Sequence, residues 1–469
     1  MVFNSVIFIF CFLPIFLLIY YFVPARARNP VLFAGSLFFY AWGDPTYLVL
    51  MLFSSFFNYY MGKELGKITD EDPSRKRNLI FAVVINLLIL GFFKYWGFLL
   101  DTISGVTGLK LTYPQLALPI GLSFYTFKNL SYILDIYMGK TEPCKGFFPY
   151  AVYSTMFPHM TAGPIVRYTD ISESISRRSI NTTRLGAGAE LFIKGLSKKV
   201  LLADNLSALY TALQASGTTS FVGTWLAIGA YTLELYFDFS GYSDMAIGLG
   251  QMLGFNFNKN FDYPYISTSV SEFWRRWHIS LGTWFREYVY IPLGGNRKGK
   301  NRTFVNLFIV FLVTGIWHGA GWNYILWGVI NGVFSVLERM SKNKTWYQKT
   351  PAVIKWAVTM SIVLLSWQVF RLSSMSEIGQ YFQILFGVVH FDAVNFTWQY
   401  YFDLRMVFLM TVGTVGAILP GLSPVQNCWN RISKNKAVFC ISQILLLGLG
   451  VLAVMFMINS TYSPFIYFQ

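Results

Sequence analysis

Two of the four histidines in this sequence lie in settings that suit acid–base chemistry. His318 is near the end of a long apolar run, in TGIWHGAGW, and an ionisable residue at membrane depth marks a functional site by default. A neutral imidazole in such a confined site is available as a general base. We interpret His318 as a base that takes a proton from a hydroxyl as it attacks an acyl donor. A histidine that only holds two helices together is the structural alternative.

The second histidine, His278, lies in SEFWRRWHISLGTWFREY, which is too charged and too short to span a bilayer. The spacing predicts one interfacial helix with an inward aromatic face of Trp274, Trp277, His278, Leu281 and Phe285. The opposite face would carry Arg275, Arg276, Thr283 and Arg286, turned toward headgroups or an anionic ligand. A structural histidine that donates to a backbone carbonyl is the alternative.

Four further residues are candidates for substrate binding beside Trp274, Trp277, Arg275, Arg276 and Trp317. Asp238 and Ser240 lie in ELYFDFSGYSDMAIG and could orient a histidine, or else hold a helix break through buried hydrogen bonds. Asn296 and Arg297 lie in the glycine-rich turn PLGGNRKGK, which suits a phosphate-bearing donor. A positively charged cytoplasmic loop is the alternative for that turn.

Several other classes of site are disfavoured by the motifs. The sequence has no GxSxG elbow, HExxH, Walker A or Rossmann glycine pattern, and no histidine–carboxylate cluster at metal-ligand spacing. No metal site is predicted. His159, beside prolines, is interpreted as structural, and His390 is assigned no role.

The composition indicates an all-α polytopic membrane protein. Hydrophobic residues make up 54% of the 469-residue chain and charged residues only 13%, against roughly 25% charged in soluble domains. Apolar runs long enough to cross a bilayer recur along the whole chain, which predicts about ten to thirteen membrane segments in a single domain, residues 1–469. The net charge of +15 comes from loops between these runs, so lipid headgroups rather than nucleic acid are the expected partner.

The order of the segments can be read from breaks in hydropathy. A first helix over 4–23 precedes a hairpin in 30–62 that turns at Gly43-Asp44-Pro45, and the flanking basic loops are assigned to the cytoplasmic side. Residues 116–137 are predicted to be hairpin-like, 147–164 broken or re-entrant, and 220–256 two spans joined at YFDFSGYSDMAIG. Later spans are predicted over 304–321, 322–338, 352–371, 405–420 and 437–458, with an amphipathic segment near 377–390.

FWRRWHISLGTWFREYVYIPLGGNR, followed by GIWHG, resembles the membrane-bound O-acyltransferase (MBOAT) family and, within it, the branch of alginate O-acetyltransferase membrane subunits. LPIGLSFYTF, FPHMTAGPIVR and YFDFSGYSDMAIGLG support the resemblance, whose core motifs lie in 230–335. The resemblance implies a ring of tilted, partly re-entrant helices around a central catalytic tunnel. It also implies that His318 matches the catalytic histidine of the family and His278 its second histidine.

The resemblance further implies O-acetylation of an exported cell-surface polysaccharide by a multi-pass enzyme of the bacterial cytoplasmic membrane. No bound cofactor is expected, and the acyl donor would be acetyl-CoA or an acyl carrier. A secreted SGNH-type acetyltransferase or a polysaccharide export complex is the expected partner. Two alternatives stay open: D-alanyl or other acyl transfer to teichoic acid or another envelope polymer, and a non-enzymatic transporter. The absence of visible internal repeats disfavours the transporter.

Overall fold

A computed structural model describes residues 1–215, 220–388, 398–459 and 465 of the chain. In these residues the regular structure is entirely helical. The helices are, in chain order, α1 (Leu13–Phe22), α2 (Arg28–Gly43), α3 (Leu48–Lys67), α4 (Pro73–Thr107), α5 (Leu122–Tyr137), α6 (Phe147–Thr155), α7 (Tyr168–Ser176), α8 (Thr182–Ser197), α9 (Asp204–Ala215), α10 (Phe221–Met252), α11 (Val270–Arg276), α12 (Ile279–Phe285), α13 (Lys300–His318), α14 (Trp322–Ser341), α15 (Thr345–Lys349), α16 (Ala352–Arg371), α17 (Met375–Leu385), α18 (Trp398–Tyr401), α19 (Leu404–Ile418), α20 (Ser423–Ile432) and α21 (Lys436–Asn459). The predicted all-α class is confirmed.

The chain forms two compact units in its described part. The N-terminal unit comprises Met1–Phe192 together with Ser243–Asn258, and the C-terminal unit comprises Ile193–Tyr242 together with Lys259–Ile466. Both candidate catalytic histidines belong to the C-terminal unit. The prediction of a single domain over 1–469 stays a prediction.

In the N-terminal unit, the helix α5 is buried along almost its whole length, although it carries polar and charged side chains. The Lys128 ammonium donates to the Ser154 carbonyl at 2.7 Å and lies 3.2 Å from His159 Nδ1. Asn129 Nδ2 donates to the Ser54 hydroxyl, and Asn129 Oδ1 accepts from the Tyr150 hydroxyl at 2.8 Å. These contacts pair polar groups that burial would otherwise penalise. His159 is fully buried here, as expected for a structural histidine.

Four described helices are long and apolar enough to cross a membrane by length and composition: Pro73–Thr107, Ala352–Arg371, Leu404–Gly421 and Lys436–Asn459. Phe8–Phe22 is a shorter apolar helix. On α21, the side chains of Ile444, Leu445 and Val451 are 61–68% exposed, which suits contact with lipid rather than water. The chain is therefore a multi-pass membrane protein. The predicted total of about ten to thirteen segments requires helices shorter or more polar than these, and it stays a prediction.

Two predicted helix breaks were wrong. Residues 220–256 do not form two spans, because α10 continues without interruption through YFDFSGYSDMAIG. The glycines there serve helix packing: a Cβ on Gly241 would lie 2.7 Å from the Gly195 carbonyl oxygen of α8. Residues 116–137 are not hairpin-like either, since they contain only α5, which begins after the left-handed Gly121. The breaks predicted at Gly43-Asp44-Pro45 and within 147–164 are both present.

Candidate active site

The helices α13 and α14 position His318. A Cβ added to Gly315 would lie 2.3 Å from the Tyr324 carbonyl oxygen and 3.1 Å from Gly328 Cα. A Cβ on Gly319 would meet the Tyr324 ring at 2.1 Å. The small residue Gly315 lets α14 approach the backbone of α13 closely, and Gly319 makes room for the Tyr324 ring. The sharp connection from α13 to α14 leaves His318 as the last residue of α13.

Aromatic rings surround the half-buried His318 imidazole on several sides. Its ring centroid lies 5.1 Å from that of Trp317, 5.2 Å from Trp327 and 5.2 Å from Phe370. The last two rings meet it nearly edge to face, at interplanar angles of 86° and 84°. This packing restricts the orientation of the imidazole while part of its surface stays open to a substrate.

The predicted continuous helix around His278 was wrong. The segment consists of the two short helices α11 and α12, and His278 lies between them in the left-handed region, with φ 44° and ψ 55°. Backbone hydrogen bonds to the preceding segment hold the break: Asp262 N–H donates to the Arg276 carbonyl, and Ile279 N–H donates to the Asn260 carbonyl, each at 2.9 Å. A non-glycine residue in this region costs conformational energy and is held there by its surroundings. Such strained residues cluster at functional sites.

Asn260 fixes both the orientation and the tautomer of His278. The Ser280 backbone N–H and hydroxyl both donate to Asn260 Oδ1, at 3.2 Å and 2.9 Å, which identifies that atom as the amide oxygen. His278 Nδ1 lies 3.1 Å from the same oxygen and must therefore carry a hydrogen. The other ring nitrogen, Nε2, is then an acceptor, and within the described residues no group hydrogen-bonds to it.

Burial keeps His278 neutral. The side chain is 3% exposed, and its position between α11 and α12 is outside the four long apolar helices. Desolvation lowers the pKa of His278 to about 3. A neutral imidazole with a buried, unpaired Nε2 can accept a hydrogen bond from a hydroxyl group.

The ring of Trp317 is close to both histidine rings. This buried ring is 5.1 Å from the His318 ring and 6.5 Å from the His278 ring, centroid to centroid. Phe239 of α10 packs edge to face on His278 at 4.7 Å. The fold thus brings His278, Trp317 and His318, which the sequence predicted as site residues, into one aromatic site.

The other two predicted tryptophans belong to the same aromatic packing. Trp274 packs 5.4 Å from Trp327, and buried Trp277 packs 4.9 Å from Trp367, between ring centroids. These contacts support the walls of the site. Direct substrate contact by Trp274 or Trp277 stays a prediction.

The two predicted arginines have different environments. Arg275 is exposed. Arg276 donates to Glu272 at 3.0 Å and also to the Asp262 carboxylate at 3.3 Å and its backbone carbonyl at 3.1 Å. Arg276 therefore ties α11 to the segment that carries Asn260. Of the two side chains, that of Arg275 is the more exposed.

Asp238 and Ser240 do not act as a pair. They are two residues apart on α10, so their side chains leave the helix on nearly opposite sides. Asp238 lies 2.6 Å from the ammonium of Lys199, which also contacts Asp204 at 2.9 Å. Both Asp238 and Lys199 are buried. This cluster supports the structural alternative for Asp238, because a buried cation and carboxylate hold each other in place.

The turn with Asn296 and Arg297 lies on the surface, where both residues are exposed. Asn296 Oδ1 accepts from Tyr290 and, at 3.0 Å, from Arg339. Asn306 of α13 donates to two carbonyls of the turn, which fixes it to that helix. A role of this turn in holding a phosphate stays a prediction.

Sequence reasoning missed Asn260 and Phe370. Asn260 lies in NKNFDY, about 18 residues before His278, and nothing in its spacing pairs it with that histidine. Phe370 ends a long apolar run, where one aromatic residue among many carries no special signal. Within the described residues, no cluster of three or more histidine, cysteine, aspartate or glutamate side chains could hold a metal ion.

Two imidazoles within an aromatic site of a multi-pass protein supply groups for acid–base chemistry in a membrane protein. Residues 144–374 match the model of the MBOAT, membrane-bound O-acyltransferase, family. The chain is 37% identical to the probable alginate O-acetylase AlgI of Pseudomonas putida, over the whole of both chains. It is 33% identical to a peptidoglycan O-acetyltransferase of Helicobacter pylori, over 84% of this chain and 81% of that protein.

A more distant similarity, 26% identity, covers 60% of this chain and 73% of a teichoic acid D-alanyltransferase of Bacillus subtilis. The chain belongs to the membrane-bound O-acyltransferase family, and it is an O-acyltransferase. The resemblance expected from the sequence motifs is confirmed.

Proposed function

We propose that this protein is an O-acetyltransferase of the bacterial cytoplasmic membrane that serves the acetylation of an exported polysaccharide. The observation that carries the proposal is the placement of His278 and His318 on Trp317 within one aromatic site. The relatives named for acetylation of alginate and peptidoglycan are similar along most of the chain, which favours acetyl over D-alanyl transfer.

In this mechanism His318 is the general base, because its imidazole is half-buried and a substrate can reach it, whereas His278 is enclosed. The donor is a thioester, either acetyl-CoA or an acetylated acyl carrier. His318 takes the hydroxyl proton as the hydroxyl oxygen bonds to the acetyl carbonyl carbon. The carbon–sulfur bond then breaks, and the leaving thiolate takes the proton back from the imidazolium.

His278 has a positioning role in this proposal. Its Nδ1–H is held by Asn260, so Nε2 can accept a hydrogen bond from the incoming hydroxyl or from an ordered water beside it. Trp317 packs near both imidazoles, with ring centroids 6.5 Å from His278 and 5.1 Å from His318. Such fixed geometry lowers the cost of aligning hydroxyl and acyl group.

The acetyl group passes to a secreted SGNH-type acetyltransferase or an export complex rather than directly to the sugar. Purified protein tests this part of the proposal. Given an acetyl thioester and de-acetylated polysaccharide, it should transfer acetyl groups only when the secreted partner is added. Transfer to the sugar without a partner would contradict the partner step while leaving the enzyme class intact.

The catalytic role is tested with His318→Ala and His318→Gln in cells that make the polysaccharide. Both variants should lose polysaccharide O-acetylation at a normal membrane level, because neither side chain can take a proton. Loss of a general base costs about 10²–10⁴-fold in rate. Ile316→Ala, on the exposed side of the same helix end, is the matched control and should keep acetylation.

Normal acetylation in His318→Gln would remove His318 from the mechanism. Unchanged acetylation in a complete deletion, together with loss of labelled D-alanine from the envelope, would instead establish D-alanyl transfer. A deletion that loses neither acetyl groups nor D-alanine would favour a transport function.

A further inference from the structure

The N-terminal unit contains a basic cavity of about 520 Å³. It lies where the turn before α2 meets the end of α7 and the segment after it. We call it the arginine cavity, and its lining consists of Ala25, Arg26, Arg28, Asn29, Ile175, Ser176, Arg177, Arg178 and Ser179. Four arginines and no carboxylate line it. This excess of positive charge favours the binding of an anion.

Arg178 is fixed in place by neutral partners. Its Nε donates to the Tyr20 hydroxyl at 2.6 Å, and Nη1 donates to Asn29 Oδ1 at 2.7 Å. Its guanidinium also lies 4.8 Å from the centre of the Phe255 ring. The remaining nitrogen, Nη2, is buried and has no hydrogen-bond partner in the described chain. The fold therefore holds a cation rigidly and leaves one of its donors unused.

Arg28 also has a buried Nε without a hydrogen-bond partner within the described residues. Arg26 and Arg177 are exposed at the cavity. Glu173, one turn before Arg177, forms no ion pair with any of the four arginines in the described part of the chain. Guanidinium groups clustered without a counter-charge repel one another, and unused buried donors add a desolvation cost.

We propose that the arginine cavity binds a phosphate group. A planar guanidinium presents paired N–H donors that match the oxygens of a phosphate, and the rigidly held Arg178 loses little freedom on binding. The volume is within the range of about 300–1,000 Å³ that small-molecule sites occupy. The phosphate belongs either to an anionic lipid headgroup or to a soluble phosphate ester, because both present the same dianionic or monoanionic oxygens.

The position of the cavity in the chain agrees with either source. The segment before α2 directly follows the apolar helix α1, and it was assigned to the cytoplasmic side from its positive charge. Phosphate esters and anionic headgroups are both abundant at that face of a membrane.

The test uses the purified full-length protein in a neutral detergent with two probes. Calorimetric titration with pyrophosphate measures binding of a soluble phosphate, and native mass spectrometry after incubation with phosphatidylglycerol measures retention of a lipid. Arg28→Gln removes one unpaired donor group, and Arg28→Lys keeps the charge while losing the guanidinium fork. Arg77→Gln, an exposed arginine of the same unit, is the control for loss of charge alone.

Arg28→Gln should weaken binding about tenfold or more, because a hydrogen bond to a charged group contributes about 1.5–3 kcal/mol. Arg77→Gln should leave it nearly unchanged. Saturable binding of pyrophosphate assigns the cavity to a soluble ester, and retention of phosphatidylglycerol alone assigns it to a headgroup. The proposal is overturned if neither probe binds, or if Arg28→Gln and Arg77→Gln weaken binding equally.

Discussion

The substitution His278→Asn tests the role of Nε2 separately from that of Nδ1, in a histidine whose backbone is left-handed. Asparagine tolerates the left-handed backbone at this position, φ 44° and ψ 55°. Its side-chain amide nitrogen occupies about the place of Nδ1 and can donate to Asn260 Oδ1. The variant therefore keeps the anchoring hydrogen bond and removes Nε2, the atom that we propose contacts the substrate hydroxyl.

The expected loss follows from one hydrogen bond made in a buried site. Such a bond is worth about 2 kcal/mol when its partner would otherwise stay unpaired, which corresponds to about a thirtyfold loss of rate. The stability cost is smaller: the edge-to-face contact with Phe239, 4.7 Å between centroids, contributes about 1 kcal/mol. The variant should therefore reach the membrane at a normal level and transfer acetyl groups slowly.

The assay feeds labelled acetate to polysaccharide-producing cells and follows the initial rate of alkali-labile label in the polysaccharide, relative to protein level. His278→Gln is the matched comparison, because its longer amide reaches toward the place of Nε2 but loses the bond to Asn260. If His278→Asn acetylates within about threefold of the wild-type rate at equal protein level, Nε2 takes no part in the reaction. His278 would then be a structural residue of the turn.

Three further predictions concern stability. Gly315→Val should sharply lower the amount of protein in the membrane, since its Cβ would lie 2.3 Å from a backbone oxygen of α14. Gly186→Ala, whose Cβ would have no atom within 4 Å, should be neutral or stabilising by up to about 1 kcal/mol. Immunoblots of membranes compare the two variants. Lys199→Met should lower the stability of the protein by about 3–5 kcal/mol, because it leaves buried carboxylates unpaired. Adding Asp238→Asn to the same chain should restore part of the protein level in the membrane. An unchanged level in the double variant would contradict the ion pair. The pKa of His278 is lowered to about 3 in the folded protein, so the unfolded chain binds the proton first as the pH falls below about 6.5. The contribution of His278 to stability is therefore complete above that pH and decreases by on the order of 2 kcal/mol by about pH 5. The thermal midpoint of His278→Asn should fall less between about pH 7 and 5 than that of the wild type, and equal decreases would contradict a neutral buried His278.

Much of the fold could be predicted because long apolar runs have few stable solutions in a membrane. The helices over 352–371 and 437–458 were located almost to the residue, since hydropathy and flanking polar residues mark both ends. Glycine-containing segments were harder. Gly241 looked like part of a helix break but provides close helix contact within α10, and hydropathy alone does not distinguish these two uses of glycine.

The residues of the candidate site could likewise be predicted only in part. The residues His278, Trp317 and His318 could be selected from the sequence, because ionisable and aromatic groups in apolar surroundings are conspicuous there. Asn260 could not be selected, because its importance lies in a 3.1 Å contact with His278 that is made across a turn.

Apolar runs and motif residues are local properties of the chain, and they are enough to predict an all-helical membrane enzyme of the O-acyltransferase family. The environment of each residue in the site depends on the tertiary structure. The fold turned His278 into the left-handed region, fixed its tautomer through Asn260, and paired Asp238 with Lys199 in the interior. Hydrogen-bond direction and charge pairing depend on distances of a few ångströms between segments far apart in the chain, which residue spacing does not encode.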